Sequence, residues 1–240
     1  MSRESQYTDL ASLYDAIYHW KDYAAEAARL RELLHAGGVP DGARVLEAAV
    51  GTGRHLALLR EHFAVDGFDL HGPMLDEARR RAPEARLWQA DMRRFRVDQP
   101  YDALLCLFSS IGYLLDEPDL RAAAASFAAA LRPGGLLLVE PWFVAERWEV
   151  GRPSLQTFVS PDLQIARATV ADRRGELAIM DMHWLIARRG HPVEHRVDRH
   201  EMWLCPRETM RAVFEQAGFE ARYEPDGLTR DRGLFLGRRR

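Results

Sequence analysis

The stretch Glu47-Ala-Ala-Val-Gly51-Thr-Gly53 sets an acid inside an apolar run and two glycines just beyond it. Glycine lets a backbone come close to a ligand, so a loop of this kind at a strand end is a binding site by position. A dinucleotide site would carry a third glycine, where this chain has Leu56, and a pyrophosphate on the following helix. Glu47 would repel a pyrophosphate and suits a cationic ligand. A second acid closes Gly67-Phe-Asp69, about 20 residues past the loop, where it can accept from ribose hydroxyls. A third, in Gln89-Ala-Asp91-Met92, is placed to accept from an exocyclic adenine amine. Adenine, ribose and a positively charged tail describe S-adenosylmethionine better than NAD.

The elements that must hold these residues follow from periodicity. A helix is expected over 10–34, ending at Gly37-Gly38. Strands at 44–50, 63–70, 85–90, 101–108 and 136–140 then alternate with helices at 54–61, 73–81 and 119–131. That rhythm predicts a parallel sheet covered by helices on both faces. Four stretches at 155–158, 165–171, 177–187 and 195–204 lie at hairpin spacing and predict an antiparallel accessory sheet. A helix at 207–217 and strands at 219–224 and 233–236 complete the chain.

The composition narrows the class. The 240 residues carry 33 basic against 36 acidic side chains, net −3, and Lys21 is the sole lysine. So balanced a charge argues against a nucleic-acid or membrane-surface binder. The basic runs at 79–81 and 238–240 read as a solvated helix end and a tail. Cys106 and Cys205 stand alone, with no zinc spacing, and no apolar run approaches the roughly 20 residues of a membrane span. A cytoplasmic protein is expected. His183, His191, His195 and His200 have spacings that fit no single strand face, so they read as solvated or acceptor-contacting and no metal is expected.

Several motifs in order carry a family resemblance: the glycine loop, Gly67-Phe-Asp69, Met74-Leu75 with Ala78, Ala90-Asp91-Met92, Tyr101-Asp102 and Leu131-Arg-Pro-Gly-Gly-Leu136. Over roughly residues 40–140 the chain resembles the class I S-adenosylmethionine-dependent methyltransferases. The resemblance implies an α/β, Rossmann-like seven-stranded sheet whose last strand is antiparallel, here with an antiparallel β insertion after strand five. Tyr14-Asp15 with Tyr18, Lys21-Asp22-Tyr23, Cys106-Leu-Phe-Ser-Ser-Ile-Gly-Tyr113, Glu140-Pro-Trp142 and Arg232-Gly-Leu-Phe235 are more narrowly similar to the N,N-dimethyltransferases of nucleotide-linked amino sugars in antibiotic biosynthesis. Val50 departs from a cysteine common in that family, and Tyr113 from a histidine found in some members.

On this resemblance the chain divides into a helical lid (1–36), a cofactor domain (37–141 and 206–240) and an acceptor-side sheet (142–205). The cofactor would be held by Glu47, Ala48, Gly51, Gly53, Arg54, Asp69, Leu70, Met74, Asp91, Met92 and Leu107, with Tyr14 and Tyr23 closing over it. Tyr113 and Tyr14 are the catalytic candidates, and Lys21, Trp142 and Arg232 the substrate-binding ones. For Tyr14, Tyr23 and Tyr113 plain packing is the other reading, and Trp142 and Trp148 could equally be interior aromatics. Positioning should dominate an in-line methyl transfer, and a tyrosine, a histidine or water takes the proton of an amine. The partner is a small-molecule acceptor, with a homodimer left open. Methylation of another metabolite, or cofactor binding without turnover, are the alternatives.

Overall fold

The computed structural model describes residues 10–228 and 231–240, so the first nine residues of the 1–36 segment lie outside it. The single helix expected over 10–34 is two helices, α1 (Ala11–Ile17) and α2 (Tyr23–Ala36). Asp22 causes the break: its side chain accepts from Ala25 N at 2.9 Å and starts a new helix. The two helices serve different cores. Ala27, Leu30 and Leu34 of α2 pack into one side of the main sheet, whereas Leu13 and Ile17 of α1 pack with Ile165, Trp184 and Ile186 of the insertion.

The alternating region runs β1 (Arg44–Ala48), α3 (Arg54–Leu59), β2 (Ala64–Asp69), α4 (Gly72–Arg81), β3 (Leu87–Gln89), β4 (Tyr101–Cys106), α5 (Glu117–Ala130) and β5 (Leu131–Val139). The insertion is β6 (Pro153–Val159), β7 (Leu163–Arg174), β8 (Leu177–Arg188) and β9 (Glu194–Trp203); α6 (Arg207–Gln216), β10 (Phe219–Glu224) and β11 (Leu234–Arg239) follow. The main sheet has seven strands in the order β10-β11-β5-β4-β1-β2-β3, and β6 to β9 form a separate four-stranded sheet. β11 is antiparallel to both its neighbours, and the insertion is antiparallel throughout. The fold class read from the sequence is the one observed.

Two details position the site. The strand order reverses between β1 and β4, so a crevice opens beyond their carboxyl ends. The turn after β1 needs its glycines for separate reasons. Gly51 (φ +56°) has nothing within 4 Å of where a Cβ would stand, which leaves room for a ligand, whereas a Cβ on Gly53 (φ +76°) would sit 3.0 Å from Ala78 Cβ.

The basic runs are not idle. Arg81 reaches back to the Thr52 carbonyl and to Asp15 of α1. Arg238, expected in a tail, belongs to β11 and donates to the carbonyls of Gly134 and Gly37.

Candidate active site

A cleft of about 790 Å³ opens at the reversal point, within the size range of small-molecule sites. Its floor is the turn after β1 with Glu47, Gly51, Thr52 and Arg54; one wall carries Asp69, Leu70, His71 and Met74. Asp91, Met92 and Leu107 line the far end, Tyr14 and Tyr23 the roof, and Tyr113 with Asp181, Asp198 and Arg199 the side toward the insertion. Twelve of the seventeen candidate site residues therefore meet around one space; the exceptions have physical reasons given below.

Glu47 is the unusual group. It is 2% exposed. Burial, and then the charge of Asp69, push its carboxyl up to about 8 against a small opposing backbone bond near Leu56. His55 Nδ1 stands 3.8 Å from its Oε1, while Oε2 has no hydrogen-bond partner. A buried acid with an orphaned oxygen on a ligand cleft fits a cationic amine. Asp69 is used on both oxygens by its own loop: Oδ2 accepts from Gly51 N and Oδ1 from His71 N, each at 2.9 Å. His71 Nδ1 also stands 3.3 Å from Oδ1, so of a carboxylate's roughly four acceptor sites one remains for a hydroxyl on the cleft side.

Asp91 is held by Arg93, which bridges it to Asp119. Burial works to raise this carboxyl, and the Arg93 bonds outweigh it and hold it below the usual range. Asp91 thus meets the cleft as half of an ion pair, which weakens any hydrogen bond it accepts from an adenine amine.

Asp15 fastens the roof. It accepts from Thr52 Oγ1 at 2.8 Å, pairs with Arg81 and stands 3.6 Å from Arg54 Nε. α1 is thereby tied to the glycine turn, and Tyr14 beside Asp15 is carried over the cleft. Enclosure, and then the neighbouring tyrosines 18, 23 and 113, raise the Tyr14 phenol well above its ordinary value. Tyr14 is therefore a neutral hydroxyl at physiological pH.

The remaining candidates lie elsewhere. Ala48 is fully buried within β1, and Gly53 caps α3 against Ala78, so neither lines the cleft. Trp142 packs on Phe143 and Trp148 and lies against Gly112, where a Cβ would come within 2.8 Å of its own. It supports the turn carrying Tyr113 rather than the cleft wall.

Lys21 and Arg232 line a smaller second cleft of about 360 Å³ with Trp20, Arg29 and Phe143. Lys21, far from standing out as a free lid charge, is paired with buried Glu26, which also bonds His55 Nε2 at 2.7 Å. Arg232 stands 3.4 Å from the fully buried Glu140 and donates to Ser109 Oγ at 2.9 Å. Glu140 in turn accepts from Phe108 N at 2.6 Å. Phe108 and Ser109 are left-handed (φ +51° and +59°), and this network holds them there. The Phe108 ring lines the main cleft, with Lys21 Nζ 4.5 Å and the Arg232 guanidinium 5.6 Å from its centre. It thus stands in the main cleft beside two cations that line the second.

The sequence reading missed His55, Arg93, Phe108 and Asp198, and left His200 among the solvated or acceptor-contacting histidines, whereas it is buried between Tyr113 and Asp198. His55 was within reach, two residues past Gly53 on the helix that faces Glu47. The β9 residues carry no local signal, because only the folding of the insertion against the turn after β4 brings them in. His183 and His195 stack on each other across β8 and β9, and His200 is buried. Among the described residues no three histidine, cysteine or acidic side chains gather as a metal site.

The seven-stranded sheet, the glycine turn and the orphaned acid define an S-adenosylmethionine-dependent methyltransferase. A methyltransferase-domain model matches residues 45–135. Over nearly the whole chain, relatives are similar. The dTDP-3-amino-3,4,6-trideoxy-alpha-D-glucopyranose N,N-dimethyltransferase of Streptomyces venezuelae is 38% identical, over 95% of this chain and 97% of its own. The dTDP-3-amino-3,6-dideoxy-alpha-D-glucopyranose N,N-dimethyltransferase of Streptomyces fradiae is 36% identical, over 95% and 90%. Among solved structures, DesVI of Streptomyces venezuelae superposes with a TM-score of 0.91 at 36% identity, covering 97% of this chain and 99% of its own. S-adenosylmethionine-bound CalS10, an amino pentose methyltransferase of Micromonospora echinaspora, superposes at 0.86 and 34% identity, covering 95% and 97%. The chain belongs to the family of dTDP-amino-sugar N,N-dimethyltransferases. Among the described residues no helix is long and apolar enough to cross a membrane.

Proposed function

We propose that this enzyme methylates the amine of an amino sugar linked to a nucleoside diphosphate. The observation that carries the reading is the continuity of the main cleft, from the orphaned Glu47 oxygen to the tyrosines and acids at the insertion. S-adenosylmethionine, when bound, supplies a methyl group on a sulfonium. Glu47 holds its ammonium, the Asp69 carboxylate its ribose, and Met92 and Leu107 the faces of the adenosine. Tyr14 and Tyr23 exclude water from above. The acceptor amine lies between Tyr14 and Tyr113, and approximation supplies most of the rate. The division into a lid, a cofactor domain and an acceptor-side sheet is part of this proposal, with the lid confined to α1 and the turn to Asp22, since α2 packs into the sheet core.

The diphosphate end of the acceptor faces the second cleft, which Lys21, Arg29 and Arg232 line. Arginine's planar fork suits a phosphate. Titration calorimetry on protein loaded with S-adenosylhomocysteine tests this. A dTDP-linked amino sugar should bind at least tenfold more tightly than the free amino sugar, and equal affinities would remove the nucleotide from the reading.

A second copy of the chain fits the outer face of the insertion. Leu155, Val159, Val170 and Leu185 are each more than half exposed, and strand register puts them on one face. Light scattering should give a dimer that Leu185→Glu weakens; a monomer at all concentrations contradicts this. The buried free thiols of Cys106 and Cys205 suit the cytoplasm.

A further inference from the structure

Behind Tyr113 lies a polar chain that methyl transfer by approximation does not require. The Tyr113 hydroxyl is 2.6 Å from His200 Nδ1, and His200 Nε2 is 2.8 Å from Asp198 Oδ2. Asp198 and His200 sit two residues apart on one face of β9, 8% and 5% exposed, and β9 packs on the 3-10 helix Ser110–Tyr113. A carboxylate only accepts, so the hydrogen between the buried pair belongs to Nε2. Nδ1 then presents its lone pair to the tyrosine hydroxyl. Phenol, imidazole and carboxylate are thus bonded in series, with Tyr113 and Asp198 at the cleft wall and His200 buried between them. Among the described residues, other titratable or charged groups near this chain are Tyr14 from α1, and Asp181, Arg199 and Glu201 at the cleft rim; Met180, opposite His200 on β8, is neutral.

We propose that Tyr113, His200 and Asp198 form a proton relay that deprotonates the acceptor ammonium before each methyl transfer. The inference rests on the amine-acceptor reading above. The ammonium gives its proton to the Tyr113 oxygen as the tyrosine hydrogen passes to His200 Nδ1, and Asp198 holds the resulting imidazolium. The freed nitrogen lone pair forms the new N–CH3 bond while the carbon–sulfur bond breaks and leaves its electron pair on sulfur. The methylated nitrogen emerges cationic. It must lose another proton before a second transfer, so His200 first returns its own through Tyr113 to water in the cleft. Tyr113 is the catalytic residue of the three, touching the amine; His200 and Asp198 act through it.

The test measures single-turnover rates of the first and second methylation for Tyr113→Phe, His200→Gln and Asp198→Asn, from below to above the pH at which the free amine is neutral. Near neutral pH, Tyr113→Phe and His200→Gln should lose on the order of 100-fold in rate. Affinity for S-adenosylmethionine should be unchanged, and monomethylated product should be released early. The deficit should shrink as pH rises, because an amine already neutral in solution needs no relay. Tyr113→Phe combined with His200→Gln should be no worse than either alone. A deficit equal at every pH, wild-type rates in both single variants, or additive losses would overturn the relay while leaving the amine reading intact. No amine methylation by the wild-type protein would overturn both.

Discussion

Replacing Glu47 with glutamine should change the proton balance of cofactor binding. In the unfolded chain this carboxyl ionises near 4.5, and in the folded protein burial and the Asp69 charge push it up to about 8. The gap corresponds to about 5 kcal/mol against the ionised form when no cation is beside it. Because the folded value is the raised one, the folded protein keeps this proton between those two pH values while the unfolded chain has lost it. Stability from this group is therefore full below about pH 4.5, declines as pH rises toward 8 and is level above. At pH 7 the site carries about nine-tenths of a proton. An ammonium docking on Oε2 favours the carboxylate and expels that proton. Calorimetry at pH 7, in buffers of differing ionisation enthalpy, should show wild type releasing close to one proton more than Glu47→Gln on binding S-adenosylmethionine. The variant should bind at least tenfold more weakly, yet melt at a higher temperature than wild type at pH 9 without ligand. Equal proton release, or undiminished affinity in the variant, would refute the reasoning.

Asp69→Ala removes a ribose partner and the anchor of Gly51 and His71, and a charge-assisted bond is worth about 1.5–3 kcal/mol. Cofactor affinity should fall at least tenfold by calorimetry, and an unchanged affinity would discard the assignment. Lys21→Met leaves Glu26 buried with the His55 ring as its remaining hydrogen-bond partner, so unfolding free energy should drop by about 3–5 kcal/mol in denaturant titrations. A loss confined to the acceptor Michaelis constant would instead make Lys21 a surface contact. Arg232→Lys keeps the charge beside Glu140 but loses the fork. It should retain most of the stability and raise the Michaelis constant for the nucleotide-linked acceptor; unchanged kinetics would place the diphosphate elsewhere.

What was legible in the sequence was local. Glu47, Gly51 and Asp69 announce themselves because strand ends and glycine turns bring neighbours in sequence to one crevice, and the motif order carries the seven-stranded sheet. The break at Asp22 was hidden because apolar spacing continues across it, and only the capping bond to Ala25 ends the first helix. Lys21 and Arg232 drew notice as rare or motif-bound cations, but their buried acids, Glu26 and Glu140, give them stabilising roles that spacing does not reveal. Trp142 is likewise tied to Gly112, a contact between β4's turn and the segment after β5. The relay pair on β9 depends on how a whole inserted sheet docks, a long-range event with no trace in the residues around Asp198 and His200.

The central claim is methyl transfer to the nitrogen of a nucleotide-linked amino sugar. Its most direct measurement is NMR of the product formed from a dTDP-linked amino sugar and S-adenosylmethionine carrying a ¹³C-labelled methyl group. The label should appear on the sugar nitrogen, first once and then twice. Label on a hydroxyl oxygen, or no transfer by protein that demonstrably binds the cofactor, would contradict it.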